Sequence, residues 1–161
     1  MKKVFLTLVL FTTILTLIIS CNSGKEESAA TVIDKEQVKK EIQAKEDEFA
    51  AVFNSGQLKD IGYYADDATS FYPNRPPLIG KEAIKAFFIS TVASNSDKIS
   101  FQTKDVFVSS DGNQVVEIGF FKVVDSTNTA INTGNYMSLF EKRDGKYVCL
   151  RDMSSSDMPV Q

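Results

Sequence analysis

Gln114-Val115-Val116-Glu117-Ile118-Gly119-Phe120-Phe121-Lys122-Val123-Val124 reads as a β-strand, dense in β-branched and aromatic residues. Asp111-Gly112 before it is a hairpin-turn pair, and Asp144-Gly145 is another. Around these turns, residues 99–108, 131–142 and 146–153 read as three further strands, so an antiparallel meander fills the C-terminal half. The N-terminal half has a different period. Asp34 is placed as a helix N-cap with Gln37 in the capping-box position. Val38, Ile42, Phe49, Val52 and Phe53 then recur on one helical face, and Gly56 suits a left-handed C-cap. A second short helix is expected over 57–64, broken by Asp66-Asp67, with a short strand over 68–72. Pro73-Asn74-Arg75-Pro76-Pro77 excludes regular structure, and a third helix is expected over 81–92. Helices first and a meander afterwards define an α+β class. The expected architecture is three N-terminal helices packed in a curved antiparallel sheet around a cone-shaped hollow.

Composition narrows the chemistry. The chain has 18 basic and 21 acidic residues and no histidine. An acidic balance argues against nucleic acid as a partner, because that polyanion is bound by clustered Lys and Arg. Without histidine there is no Ser-His-Asp or Cys-His mechanism, and catalysis would fall to carboxylates, tyrosines or lysines. No phosphate-binding glycine loop, zinc spacing or EF-hand pattern occurs, so no cofactor and no metal are expected.

Residues 1–20 carry an address. Met1-Lys2-Lys3 opens an apolar run over 4–19, interrupted by four threonines and shorter than the roughly 20 residues a spanning helix wants. The run ends in Ile18-Ile19-Ser20-Cys21, which resembles the lipobox of bacterial lipoproteins. That resemblance implies removal of residues 1–20, lipidation of Cys21 and membrane anchoring in the bacterial envelope. The outer membrane, periplasmic or surface-exposed, is the expected location, with the inner membrane left open. Residues 21–30 then form a polar tether before a domain over 31–161. Extended, nine tether residues reach at most about 30 Å. Lys25-Glu26-Glu27 is similar to a surface-export signal and equally reads as a solvated linker. With Cys21 lipidated, Cys149 has no partner within the chain, and within Tyr147-Val148-Cys149-Leu150 it reads as a small buried hydrophobe.

Two further segments, Tyr64-Ala65-Asp66-Asp67-Ala68-Thr69 and Pro76-Pro77-Leu78-Ile79-Gly80-Lys81-Glu82-Ala83-Ile84, resemble the nuclear transport factor 2-like superfamily. The ending Asp144-Gly145-Lys146-Tyr147, Arg151-Asp152 and Asp157-Met158-Pro159 is similar to its SnoaL-like branch. The resemblance implies the cone-shaped fold and a pocket among Phe49, Tyr64, Tyr72, Phe88, Met137, Leu150 and Asp152. It also implies where the steroid isomerases of the superfamily keep their working groups. Their proton-shuttling aspartate falls on Tyr72, their first oxyanion tyrosine on Phe49, and their protonated aspartate at or near Met137. Tyr64 and Phe88 take the places of two supporting tyrosines. Phe49 and Met137 cannot donate a hydrogen bond, so isomerase chemistry is not expected.

Asp152 is the sharpest polar candidate, placed on one face of the last strand with Val148 and Leu150. A carboxylate facing an apolar hollow has a raised pKa unless it is paired. Arg151, Arg75 or backbone amides are the expected partners. Glu117 is a second candidate, but both faces of its strand serve equally as the inner one, so its direction stays open. The expected function is non-catalytic binding of a small apolar or amphipathic molecule. One alternative is an isomerase, cyclase or hydratase using Asp152, with Glu117 dividing the acid and base roles. The other is an interaction module, a homodimer through the sheet face.

Overall fold

The computed structural model describes residues 33–58, 61–94 and 96–159. The signal, Cys21 and the tether lie outside the described residues. Helix α1 (Lys35–Ser55) begins where Asp34 accepts hydrogen bonds from the Glu36 and Gln37 amides at 3.0 and 3.1 Å. It ends at Gly56, whose φ of 71° is the left-handed cap that a side chain resists. Strands β1 (Tyr64–Phe71) and β2 (Leu78–Ile79) follow, then helix α2 (Lys81–Ser94). The meander is β3 (Lys98–Val108), β4 (Gln114–Val124), β5 (Ala130–Arg143) and β6 (Lys146–Ser156).

Two expectations are corrected. The described residues of 57–64 form no second α-helix: Gly62 and Tyr63 turn, and Tyr64 already opens β1. Tertiary pairing overrides local propensity here, since the Tyr63 carbonyl accepts the Cys149 amide at 2.8 Å and leads the chain onto the sheet. Asp66 and Asp67 therefore sit exposed within β1 instead of breaking a helix. The sheet is also mixed, not wholly antiparallel. Its order is β2-β1-β6-β5-β4-β3, with β1 parallel to β6 and every other neighbour antiparallel.

Helix α1 packs against β3, the edge strand of the curved sheet. Side chains from α1 bond the free edge. Asn54 both donates to the Ile99 carbonyl and accepts its amide, each at 2.8 Å, and Gln43 accepts the Thr103 amide at 2.7 Å. This blocks further strand pairing at that edge. The sheet and both helices enclose a core in which Ile42, Ile84, Val106, Val115, Phe140 and Cys149 have no exposed surface. Cys149 is a free thiol whose pKa burial pushes well up, consistent with an inert packing residue.

Candidate functional site

The inner face of the sheet is layered by its register. The deepest row is apolar: Val108, Val115, Phe140 and Cys149 are successive partners across β3, β4, β5 and β6. The next row continues Val106, Glu117, Ser138, Asp152 and Ser70 from β3 to β1. Above it lie Thr103, Gly119, Tyr136 and Ser154, then Phe101, Phe121, Gly134 and Ser156. A cavity of about 380 Å³ opens over the polar row, walled by aromatic side chains from α1, α2 and the sheet.

Glu117 points inward and is fully buried. Its Oε1 accepts from the Thr103 hydroxyl at 2.6 Å and the Tyr136 hydroxyl at 2.8 Å. Tyr136 reaches it by lying flat across Gly119, where a Cβ would stand 2.4 Å from the ring, so the glycine is needed for the contact. Glu46 comes down from α1 with 1% of its surface exposed, takes the Tyr63 hydroxyl on Oε1, and stands beside Glu117, whose Oε2 has no well-aligned donor. Burial, then the charge of Glu117, pushes Glu46 well above the usual carboxylate range. Glu117 is raised by burial too, against the lowering effect of Thr103, Tyr136 and the neighbouring Glu46.

Asp152 is held more loosely. Its Oδ2 accepts the Tyr64 hydroxyl at 3.0 Å. Ser70, its register partner on β1, stands beside the carboxylate and lowers its pKa, yet outside good hydrogen-bond geometry, leaving Oδ1 without a well-aligned donor. Burial outweighs both hydroxyls and pushes Asp152 up to about 6. The expected arginine partners are elsewhere. Arg151 donates to the Asp67 and Leu150 carbonyls, and Arg75 lies over the Phe87 ring at 4.3 Å.

Phe49, Tyr64, Tyr72, Phe88 and Asp152 border the cavity together. Met137 and Leu150 do not. Met137 is 45% exposed on the outer face, between inward-pointing Tyr136 and Ser138. Leu150 is the extra residue of a β-bulge: Phe140 pairs with Cys149 but Leu139 pairs with Arg151. The bulge shifts the phase of β6. Tyr147, Cys149 and Asp152 therefore share the inner face, instead of Val148, Leu150 and Asp152. Asp152 faces inward through an irregularity that period-two spacing cannot express.

Glu46, the most perturbed carboxyl of the site, is absent from the sequence reading. A signal for it exists. The apolar stripe Val38, Ile42, Phe49 needs an inward residue near 45 or 46, and a glutamate fills it. Among the described residues, no three His, Cys, Asp or Glu side chains stand close enough to hold a metal ion.

This architecture, a curved mixed sheet closed by two helices over a cavity with a carboxyl row, is of the nuclear transport factor 2-like, cystatin-like class. The model of the SnoaL-like domain family matches residues 47–150, and the chain belongs to that family. Solved structures share the fold. A ketosteroid isomerase-like protein from Erwinia carotovora atroseptica is 19% identical with a TM-score of 0.60, over 74% of this chain and 96% of that one. A nuclear transport factor 2-like protein with a cystatin-like fold from Novosphingobium aromaticivorans is 12% identical with a TM-score of 0.64, over 74% and 81%. A protein of unknown function from Mycobacterium tuberculosis is 16% identical with a TM-score of 0.67, over 82% and 79%. No curated protein matches the sequence.

Proposed function

We propose that the chain binds a small, largely apolar molecule in the cavity between the helices and the sheet. The observation that carries this reading is the cavity itself: about 380 Å³, walled by Phe49, Phe53, Phe87, Phe88 and Phe101, with a few polar side chains among them. A neutral apolar dye such as N-phenyl-1-naphthylamine should bind at a single saturable site. Ser154→Phe, placed to fill the space, should abolish that site. Failure of the wild-type protein to bind saturably would overturn the reading.

Proton transfer is the second reading, favoured by one observation. Glu46, raised well above the usual carboxylate range, and Asp152, pushed up to about 6, border the same space. Carboxyls whose surroundings hold them at different pKa values suit a general acid and a general base. Under it, Asp152→Asn keeps dye binding and loses turnover of the accepted substrate.

The outer face supports a contact between two copies. Phe71, Met153, Met137 and Ile118 form one uncharged row across β1, β6, β5 and β4, which meets its own copy without charge repulsion, as a two-fold contact requires. A monomer at all concentrations in sedimentation analysis would exclude it. We also propose the lipid anchor at Cys21 on the strength of its cut site. Cys21→Ser should release the protein from membranes, and unchanged membrane fractionation would refute it.

A further inference from the structure

The polar groups of the cavity are unbalanced in sign. Among the described residues no lysine or arginine borders it, while the Asp152 carboxylate does. The hydroxyls of Tyr63, Tyr64 and Tyr136 already donate to Glu46, Asp152 and Glu117. The ion pairs among the described residues lie at the surface, as Arg143 with Asp67 does at 2.6 Å, and none includes a carboxyl of the inner row. What the cavity offers a ligand is therefore the Asp152 carboxylate, one of whose buried oxygens lacks a well-aligned donor, set among aromatic rings. An anion would meet like charge and no cationic partner. A neutral hydrocarbon would desolvate Asp152 further without compensating it. A cation with apolar bulk does both tasks: its charge pairs with the carboxylate and the ring faces, and its hydrocarbon fills the walls. Arg75 over Phe87 shows that a ring of this wall already accepts a cation from outside the cavity.

We propose that the cavity takes a small organic cation, an alkyl- or arylalkylammonium, with its nitrogen beside Asp152 and its hydrocarbon against Phe49, Tyr72 and Phe88. This rests on the reading of the cavity as a binding site and names the class of its ligand. The pH dependence follows from the groups facing Asp152. These are Tyr64 and Tyr72 from β1 and its following turn, Glu46 from α1 and Cys149 from β6, with Arg75 beyond the wall. Burial raises the tyrosines and the thiol, so they stay neutral, and it pushes Glu46 well above the usual carboxylate range. Asp152, pushed up to about 6, is the carboxyl of this set placed beside the cation.

The test is displacement of bound N-phenyl-1-naphthylamine from the full chain by three probes: benzyltrimethylammonium, its uncharged isostere neopentylbenzene, and phenylacetate. The cation should displace the dye at a concentration about tenfold or more below that of the isostere. Asp152→Asn should erase that preference, bringing the concentrations at which the cation and the isostere displace the dye together. Should that variant fail to fold, the wild-type protein supplies a second readout: the quaternary cation does not titrate, so its affinity should fall as pH drops through about 6. If the dye binds but the isostere or phenylacetate displaces it as well as the cation, or no probe does, the cation inference fails and the binding reading stands. If the dye finds no saturable site, both fall.

Discussion

Glu117 and Asp152 stand two strands apart in one row of the inner face, and they are held differently. Glu117 accepts from Thr103 and Tyr136, stands beside Glu46, has no exposed surface and lies outside the cavity lining. Asp152 has one well-formed bond, from Tyr64, and borders the cavity. Each keeps one oxygen without a well-aligned donor, but Glu117, sealed between α1 and the sheet, behaves as a structural joint. A partly satisfied carboxylate in a cavity wall is where a ligand gains most, because it supplies the missing partner. Phe49 joins the two ends. Its ring contacts Tyr63, the donor to Glu46, at 4.9 Å between centroids, and Tyr64, the donor to Asp152, at 6.1 Å.

The severest way to break the contrast is to remove that wedge. Phe49→Ala should cost about 3–5 kcal/mol in urea denaturation, the range for a buried aromatic. A loss below about 0.5 kcal/mol would mean that Phe49 is not packed between the two tyrosines. Next is the closed end itself. Glu117→Ala strands the Thr103 and Tyr136 hydroxyls, and should cost about 2 kcal/mol or more at 1–3 kcal/mol per unpaired group. Glu117→Gln keeps an acceptor for the hydroxyls and should be clearly milder. Equal losses for the two variants would show that the enclosure by donors is not what stabilises Glu117.

The open end is probed by pH. The folded pKa of Asp152 is raised, so its contribution to stability is full below the unfolded value near 4 and is lost as pH rises through about 6. Asp152→Asn cannot ionise. Its stability relative to wild type should therefore improve by about 2–3 kcal/mol between pH 4 and pH 7. A pH-independent difference would place Asp152 with the satisfied carboxyls. The smallest effect belongs to the outer face. Met137→Ala should change stability by less than about 0.5 kcal/mol, since the side chain is 45% exposed. A loss of several kcal/mol would return Met137 to the core.

The sequence by itself determined the long helix and its caps at Asp34 and Gly56, the four meander strands and the α+β class. Each of these rests on a local period or a turn residue that tertiary contacts then reinforce. The family was legible from segments in β1, α2 and β6 for the same reason. The parallel seating of β1 on β6 was not legible, because the Tyr63 carbonyl finds its partner at Cys149, far along the chain. Nor was the inward side of β4, whose two faces are equally apolar until Glu117 meets Thr103, Tyr136 and Glu46. The bulge at Leu150 decided the rest. One extra residue in β6 turns Cys149 and Asp152 to the same face and leaves Met137 and Met153 paired on the other. Strand periodicity is a local property and a bulge is a property of the paired ladder, so only the assembled sheet could choose which carboxyls share the cavity.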